Sequence, residues 1–155
     1  MRESLRCRQF ALVVSLVTLA ACSQSDPVAY ECKTTSALAD MSRNGQRLEA
    51  SDPRSPFITD GGDSKLTFLV HTRAQAVQME YPNKSFPASF TSNSIVWEED
   101  TVEISKESKF RRKLSHRFDR ITSSYSAMGR TELIFTKNGD VANAALSVNG
   151  TCKLK

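Results

Sequence analysis

Ser115, His116 and Asp119 lie within five positions and supply the three side-chain types of a nucleophilic triad. Such a triad needs the imidazole within hydrogen-bond reach of both partners. Leu114, His116 and Phe118 alternate with Ser115, Arg117 and Asp119. That period of two predicts a strand with the two sets on opposite faces, so Ser115 and His116 cannot act together. His71 sits in another strand-like run with no companion acid. No nucleophile elbow, phosphate-binding glycine loop or zinc-protease helix motif is present. The two histidines lack metal-ligand spacing. The sequence therefore assigns no catalytic residue, no metal and no cofactor. Trp97 beside Glu98 and Glu99 is either a binding aromatic or a core residue at a strand end.

A second constellation is electrostatic. Glu98, Glu99, Asp100, Glu103 and Glu107 form an acidic stretch. Lys109, Arg111, Arg112, Lys113, Arg117 and Arg120 form a basic one directly after it. One reading is an anion-binding patch of Lys109, Arg111, Arg112, Lys113 and Arg117 for lipid headgroups or an acidic envelope protein. The other is a pair of adjacent strands whose opposite charges meet across the sheet. The net charge of +4 over 155 residues does not single out nucleic acid as a partner.

The N-terminus carries an address. Arg2, Arg6 and Arg8 precede Phe10 to Ala21, a run of 12 residues in which only Ser15 and Thr18 are polar. A basic segment followed by an apolar one of this length reads as a signal peptide, and it is too short for a permanent membrane span. The run ends Leu19–Ala20–Ala21–Cys22. This resembles the bacterial lipobox. The resemblance implies that the chain is cut before Cys22, that Cys22 carries a diacylglycerol and further acyl chains, and that the protein is membrane-anchored through them. Two or more chains give stable anchoring. Ser23, rather than aspartate, follows the cysteine, which resembles the pattern of lipoproteins sent to the outer membrane, facing the periplasm. Residues 1–21 are thus read as signal, 22–30 as a lipidated tether and 31–155 as one domain.

Cys7 leaves with the signal and Cys22 takes lipid, so Cys32 and Cys152 remain, 120 residues apart. An even pair in an exported protein reads as a disulfide, with two buried thiols as the alternative.

The elements that must position these residues read as short strands. Leu66, Phe68 and Val70 share a face, as do Val77, Met79 and Tyr81. Phe86 to Phe90, Ile95 to Trp97, Val102 to Ile104, Leu114 to Phe118 and Leu133 to Phe135 follow. Asn138–Gly139 is a hairpin signal. Some seven or eight strands at about ten-residue spacing predict a mainly β fold, a small antiparallel barrel or sandwich. Ser36 to Met41 reads as a single helical turn capped by Ser36, and the alanines of 141–148 would also suit a short helix. Asn44–Gly45, Asp52–Pro53, Ser55–Pro56 and Gly61–Gly62 read as a long loop or several edge pieces.

Two further resemblances attach to these segments. Arg117–Phe118–Asp119–Arg120 and Gly150–Thr151–Cys152 are similar to segments of small exported bacterial proteins closed by a Gly-x-Cys ending, which implies architecture alone. Tyr30–Glu31–Cys32, Cys152–Lys153–Leu154 and Ile134 to Asp140 are similar to parts of the lipid-anchored inhibitors of C-type lysozyme. That resemblance implies an inhibitory loop at Lys137, Asn138 and Gly139. The functional expectation is a lipid-anchored envelope binding module without catalysis, with lysozyme inhibition as the alternative. An envelope enzyme becomes the reading only if a cleft joins His116 to an acid and a nucleophile.

Overall fold

Alternating apolar residues and frequent turns give the chain nine strands in the computed structural model, which describes residues 27–49 and 64–155. They are β1 (Val28–Arg43), β2 (Gln46–Arg47), β3 (Ser64–His71), β4 (Ala76–Met79), β5 (Lys84–Phe90), β6 (Ser94–Ile104), β7 (Ser108–Asp119), β8 (Ser124–Phe135) and β9 (Val141–Leu154). From β3 to β9 each strand pairs antiparallel with the next. β1 pairs with β3 on one side and with β9 on the other. The sheet therefore closes into an antiparallel barrel of eight strands, with β2 as a short extra strand folded onto the end of β1. Closure satisfies the backbone groups that an open sheet would leave at its two edges. The mainly β expectation holds, as a barrel rather than a sandwich.

The helical reading of Ser36 to Met41 is corrected. Those residues continue β1, paired with β9 from Ser36↔Val148 to Ala39↔Ala145. A strand partner along the whole segment outweighs the weak helical preference of Ser-Ala-Leu-Ala. The register shifts between Ala39 and Ser42, where Asp40 takes φ of 48°. This bulge is what made the pattern look irregular. The alanines of 141–148 likewise lie in strand β9, and the described residues contain no helix. The expected signal segment, Cys22, the tether up to Asp26 and the turn signals from Asp52 to Gly62 lie outside the described residues. β1 begins at Val28, inside the expected tether.

Two rims follow from the strand directions. The start of β1 and the end of β9 share one rim, where Tyr30 is paired with Leu154 and Lys155 N–H donates to Ala29 O at 3.1 Å. The opposite rim carries the β1–β2, β4–β5, β6–β7 and β8–β9 turns. Cys32 and Cys152 face each other across the β1–β9 seam, with Sγ atoms 1.98 Å apart, at disulfide-bonding distance. The bond staples the first strand to the last, across the pairing most distant in sequence.

The interior is layered along the barrel axis. An aromatic core of Phe68, Trp97, Phe118 and Tyr125 fills the half nearer the chain ends, with Val70, Val77 and Ile95 around it. Tyr30 stacks on Phe68 at 5.5 Å, and Phe68 meets Phe118 edge-on at 5.5 Å. A smaller cluster of Met41, Leu48 and Ala144 sits toward the opposite rim. Between the two clusters the inward positions are polar: Glu99, Thr101, His116 and Thr131 are all buried.

Candidate functional site

The alternation Ile95, Trp97, Glu99, Thr101 puts one face of β6 inside the barrel. On β7 the inward set is Phe110, Arg112, Leu114, His116 and Phe118. The register sets Trp97 opposite His116 and Thr101 opposite Arg112, so Glu99 stands diagonally between the two basic side chains. Four donors converge on its carboxylate. Arg112 Nε donates to Oε1 at 2.7 Å, Arg112 Nη2 lies 2.7 Å from the same oxygen, and Thr101 Oγ1 donates to it at 2.9 Å. His116 Nε2 lies 3.0 Å from Oε2. On the far side of the ring, His116 Nδ1 lies 2.7 Å from the Tyr125 hydroxyl. With Glu99 ionised, Nε2 carries the proton and donates, which leaves Nδ1 of the neutral ring to accept from the Tyr125 hydroxyl.

Glu99 side-chain exposure is 1% and that of His116 is 2%. Burial pushes the Glu99 carboxyl up, but the His116 hydrogen bond and the charge and hydrogen bonds of Arg112 prevail and hold it below the ordinary glutamate value. Burial, and then the Glu99 charge, push the Tyr125 phenol far above its ordinary value. Trp97 is stacked on His116, and its buried Nε1 has no hydrogen-bond partner among the described residues.

This network is the floor of a recess of about 220 Å³. Its walls include Leu66, Met79, Leu114, Leu146 and Val148, and Ser36, Ser64 and Tyr81 lie at its entrance. On β8, Ala127 opposes His116 and Gly129 opposes Leu114. A side chain at Gly129 would collide with the Lys113 carbonyl and the backbone of Leu114. A larger depression of about 430 Å³ lies on the outer wall near Ala29, Leu69 and Gln78, and none of the buried polar groups reaches it.

The residues singled out from sequence fall in three places. Lys109, Arg111, Lys113 and Arg117 point outward from β7. Arg111 grips Asp100 with two hydrogen bonds of 3.0 and 2.8 Å. Arg112 turns inward and belongs to the buried network, so the continuous run of outward charge is broken there. Cross-strand pairing thus takes up two of the basic side chains, and Lys113 opposes Arg130 across β7 and β8.

Lys137, Asn138 and Gly139 form the exposed β8–β9 turn, with Gly139 at φ of 74° and its N–H donating to Phe135 O at 2.9 Å. The base of that turn is tied to the β1–β2 hairpin. Asp140 accepts from Arg43 at 2.7 Å and from Asn44 at 2.9 Å.

Ser115 is exposed on the opposite face from His116, as the alternation requires. Asp119 accepts the backbone N–H groups of Ile121 and Thr122, each at 2.9 Å, and so caps a turn. Glu99, Thr101 and Tyr125 are the site residues that reading the charges as blocks overlooks. The signal was available, since Glu99 shares the parity of Ile95 and Trp97. No group of three or more metal-ligating side chains occurs among the described residues.

No family model matches the chain, nor does any curated protein or solved structure. The site must therefore be interpreted from its own chemistry.

Proposed function

We propose that the chain is a lipid-anchored cell-envelope protein that acts by binding and not by catalysis. The anchor rests on the lipobox-like Leu19–Ala20–Ala21–Cys22. Ser23 supports an outer-membrane position facing the periplasm. One observation carries the binding role: at the floor of the recess the groups that could do chemistry already engage one another. A general base needs a lone pair directed at the substrate. The Glu99 oxygens take four donors, and both His116 nitrogens have partners. A nucleophilic phenol needs access and a lowered pKa, and Tyr125 has neither.

The anchor is tested by labelling cells with a fatty-acid probe. Wild type should label and Cys22→Ala should not; equal labelling would remove the lipobox argument. The binding role is tested by cross-linking the full chain in cell envelopes. A reproducible partner is expected, and loss of that partner on filling the recess would tie it to the barrel interior.

Two other readings have an observation behind them. His116 is joined to an acid, Glu99, and to a hydroxyl, Tyr125, beside a cleft, which favours an envelope hydrolase. Turnover of an activated ester that disappears in His116→Gln would establish it. The exposed turn at Lys137–Gly139 favours inhibition of C-type lysozyme. A lysozyme assay with wild type and Lys137→Ala decides that reading.

A further inference from the structure

A buried ion pair is weak evidence of stabilisation. Two apolar residues of similar volume often serve a core as well or better. The barrel nevertheless holds Glu99 and Arg112 between two apolar clusters, beside a recess that its side chains do not fill. What that recess offers a ligand can be worked out donor by donor. Glu99 offers a ligand little, because its side chain is 1% exposed, with three donors on Oε1 and His116 on Oε2. Thr34 donates its hydroxyl to Ser64 O at 3.2 Å. Tyr81 directs its hydroxyl to Glu103 at 3.3 Å. Arg112 is different. A guanidinium carries five N–H donors, and Glu99 engages only the Nε and Nη2 side. Nη1 has no hydrogen-bond partner among the described residues, and Arg112 lines the recess with its side chain 19% exposed.

Ser36, Ser64 and Lys65 lie exposed at the entrance. The uncommitted polar group at the floor is thus a donor, set among Leu66, Met79, Leu114, Leu146 and Val148. The Arg112 charge is already balanced by Glu99, and Lys65, the other cation of the lining, is exposed and shares the outward parity of Thr67 and Leu69 on β3. A second anion at the floor would therefore be desolvated without a free counter-charge. An ammonium would meet a donor at the floor and find acceptors only at the entrance, in the Ser36 and Ser64 hydroxyls. We infer that the recess binds a small, uncharged, largely apolar molecule bearing a carbonyl-type oxygen, with that oxygen accepting from Arg112. A cavity of about 150 Å³ holds benzene. The recess, at about 220 Å³, therefore suits a molecule of about nine non-hydrogen atoms. This site deepens the binding-module reading and rests on it.

The test uses the full chain, isotope-labelled, in a neutral maltoside detergent. Acetophenone, benzoate and benzylamine serve as probes of nearly equal size: a neutral acceptor, a charged acceptor and a charged donor. Acetophenone should give saturable shifts at the backbone amides of Leu114, Leu146 and Val148, and should bind tightest of the three. Val148→Phe, which fills the recess, should abolish those shifts. The double variant Glu99→Leu with Arg112→Leu replaces the pair by apolar groups and should weaken acetophenone about fivefold, the effect of one hydrogen bond. It also keeps the test readable should Val148→Phe fold poorly. The inference is overturned if acetophenone gives no saturable shift, if benzoate or benzylamine binds as tightly, or if neither variant changes the affinity. If cross-linking in envelopes still captures a partner after such a result, the binding-module reading survives and only the ligand class falls.

Discussion

Trp97 lies flat on His116, with ring centroids 4.8 Å apart and planes 6° from parallel. The two residues are direct partners on β6 and β7, so the stack is set by the register. The imidazole is held on one face by the indole and at both nitrogens by Tyr125 and Glu99. Trp97 is the sole tryptophan of the chain, so its fluorescence reports directly on this network.

Glu99 should make stability depend on acid. Its carboxyl titrates below the ordinary glutamate value of 4.5 in the folded state. The unfolded chain therefore takes up protons first as the pH falls. The stabilisation is complete above about pH 6 and is lost as pH falls through 4.5 and then through the folded value. Glu99→Gln should flatten that part of the profile. At neutral pH it should cost about 3 kcal/mol, because Arg112 loses its buried partner. Urea melts across pH 3 to 7, followed by Trp97 fluorescence, check both statements; an unchanged pH slope would refute the assignment.

Tyr125→Phe keeps the ring in the aromatic core and removes the hydroxyl that faces His116 Nδ1. A buried nitrogen without its partner costs about 1–3 kcal/mol. Denaturation should show that loss, while tyrosine-to-phenylalanine changes at exposed Tyr81 should not. Equal effects at the two positions would mean that the hydroxyl makes no special contribution.

Gly129→Ala should be disproportionately harmful for one added methyl. The new Cβ would meet the Lys113 carbonyl and the Leu114 backbone, which belong to the neighbouring strand and cannot rotate away. A loss of about 2 kcal/mol or more is expected. Gly139→Asn, at a turn with open space around it and a positive φ, should cost less. A smaller loss at Gly129 than at Gly139 would contradict the strand spacing described.

Replacing Cys32 and Cys152 together by alanine should lower stability by about 2–5 kcal/mol. Peptide mapping of the purified protein without reductant should show the two linked. Free thiols at both positions would overturn this.

The outward cations make a separate, salt-sensitive prediction. Lys109→Ser, Arg111→Ser and Lys113→Ser together should weaken binding to anionic vesicles while leaving the melting temperature within about 3 °C of wild type, because exposed pairs contribute little to stability. Arg112→Ser should instead lower the melting temperature with little effect on vesicles. Cosedimentation at two salt concentrations separates these outcomes. Vesicle binding that is unchanged by the triple substitution would exclude the wall as an anion surface.

The strands of the second half were legible in part because hydrophobic alternation and turn residues agree there: the Asn138–Gly139 turn and the Leu114–Phe118 part of β7 follow from the sequence. β6 instead reads as two pieces, Ile95 to Trp97 and Val102 to Ile104, because the acidic residues between them interrupt the apolar pattern. β1 was not, because its partner is 120 residues away at Cys32↔Cys152 and its bulge at Asp40 breaks the alternation. Local propensity cannot report a pairing so distant. At the site, the inward His116 was legible from its parity. The inward Arg112 and Glu99 were not recognised because each sits in a block of like charge, and a block suggests a solvated face. Reading the phase of each charge within its strand would have separated them from their outward neighbours.

The meeting of Tyr30 and Leu154 on one rim has a topological consequence. The barrel is nearly a ring in sequence as well as in space. A short linker from Lys155 to Val28 would close it, and the exposed Asn138–Gly139 turn offers a place to reopen it. Such a permuted chain would keep every strand pairing while its new ends emerged from the opposite rim. The recess opens toward that opposite rim, near Ser64 and Tyr81, so the permutant would show whether what the barrel binds depends on which rim carries the chain ends.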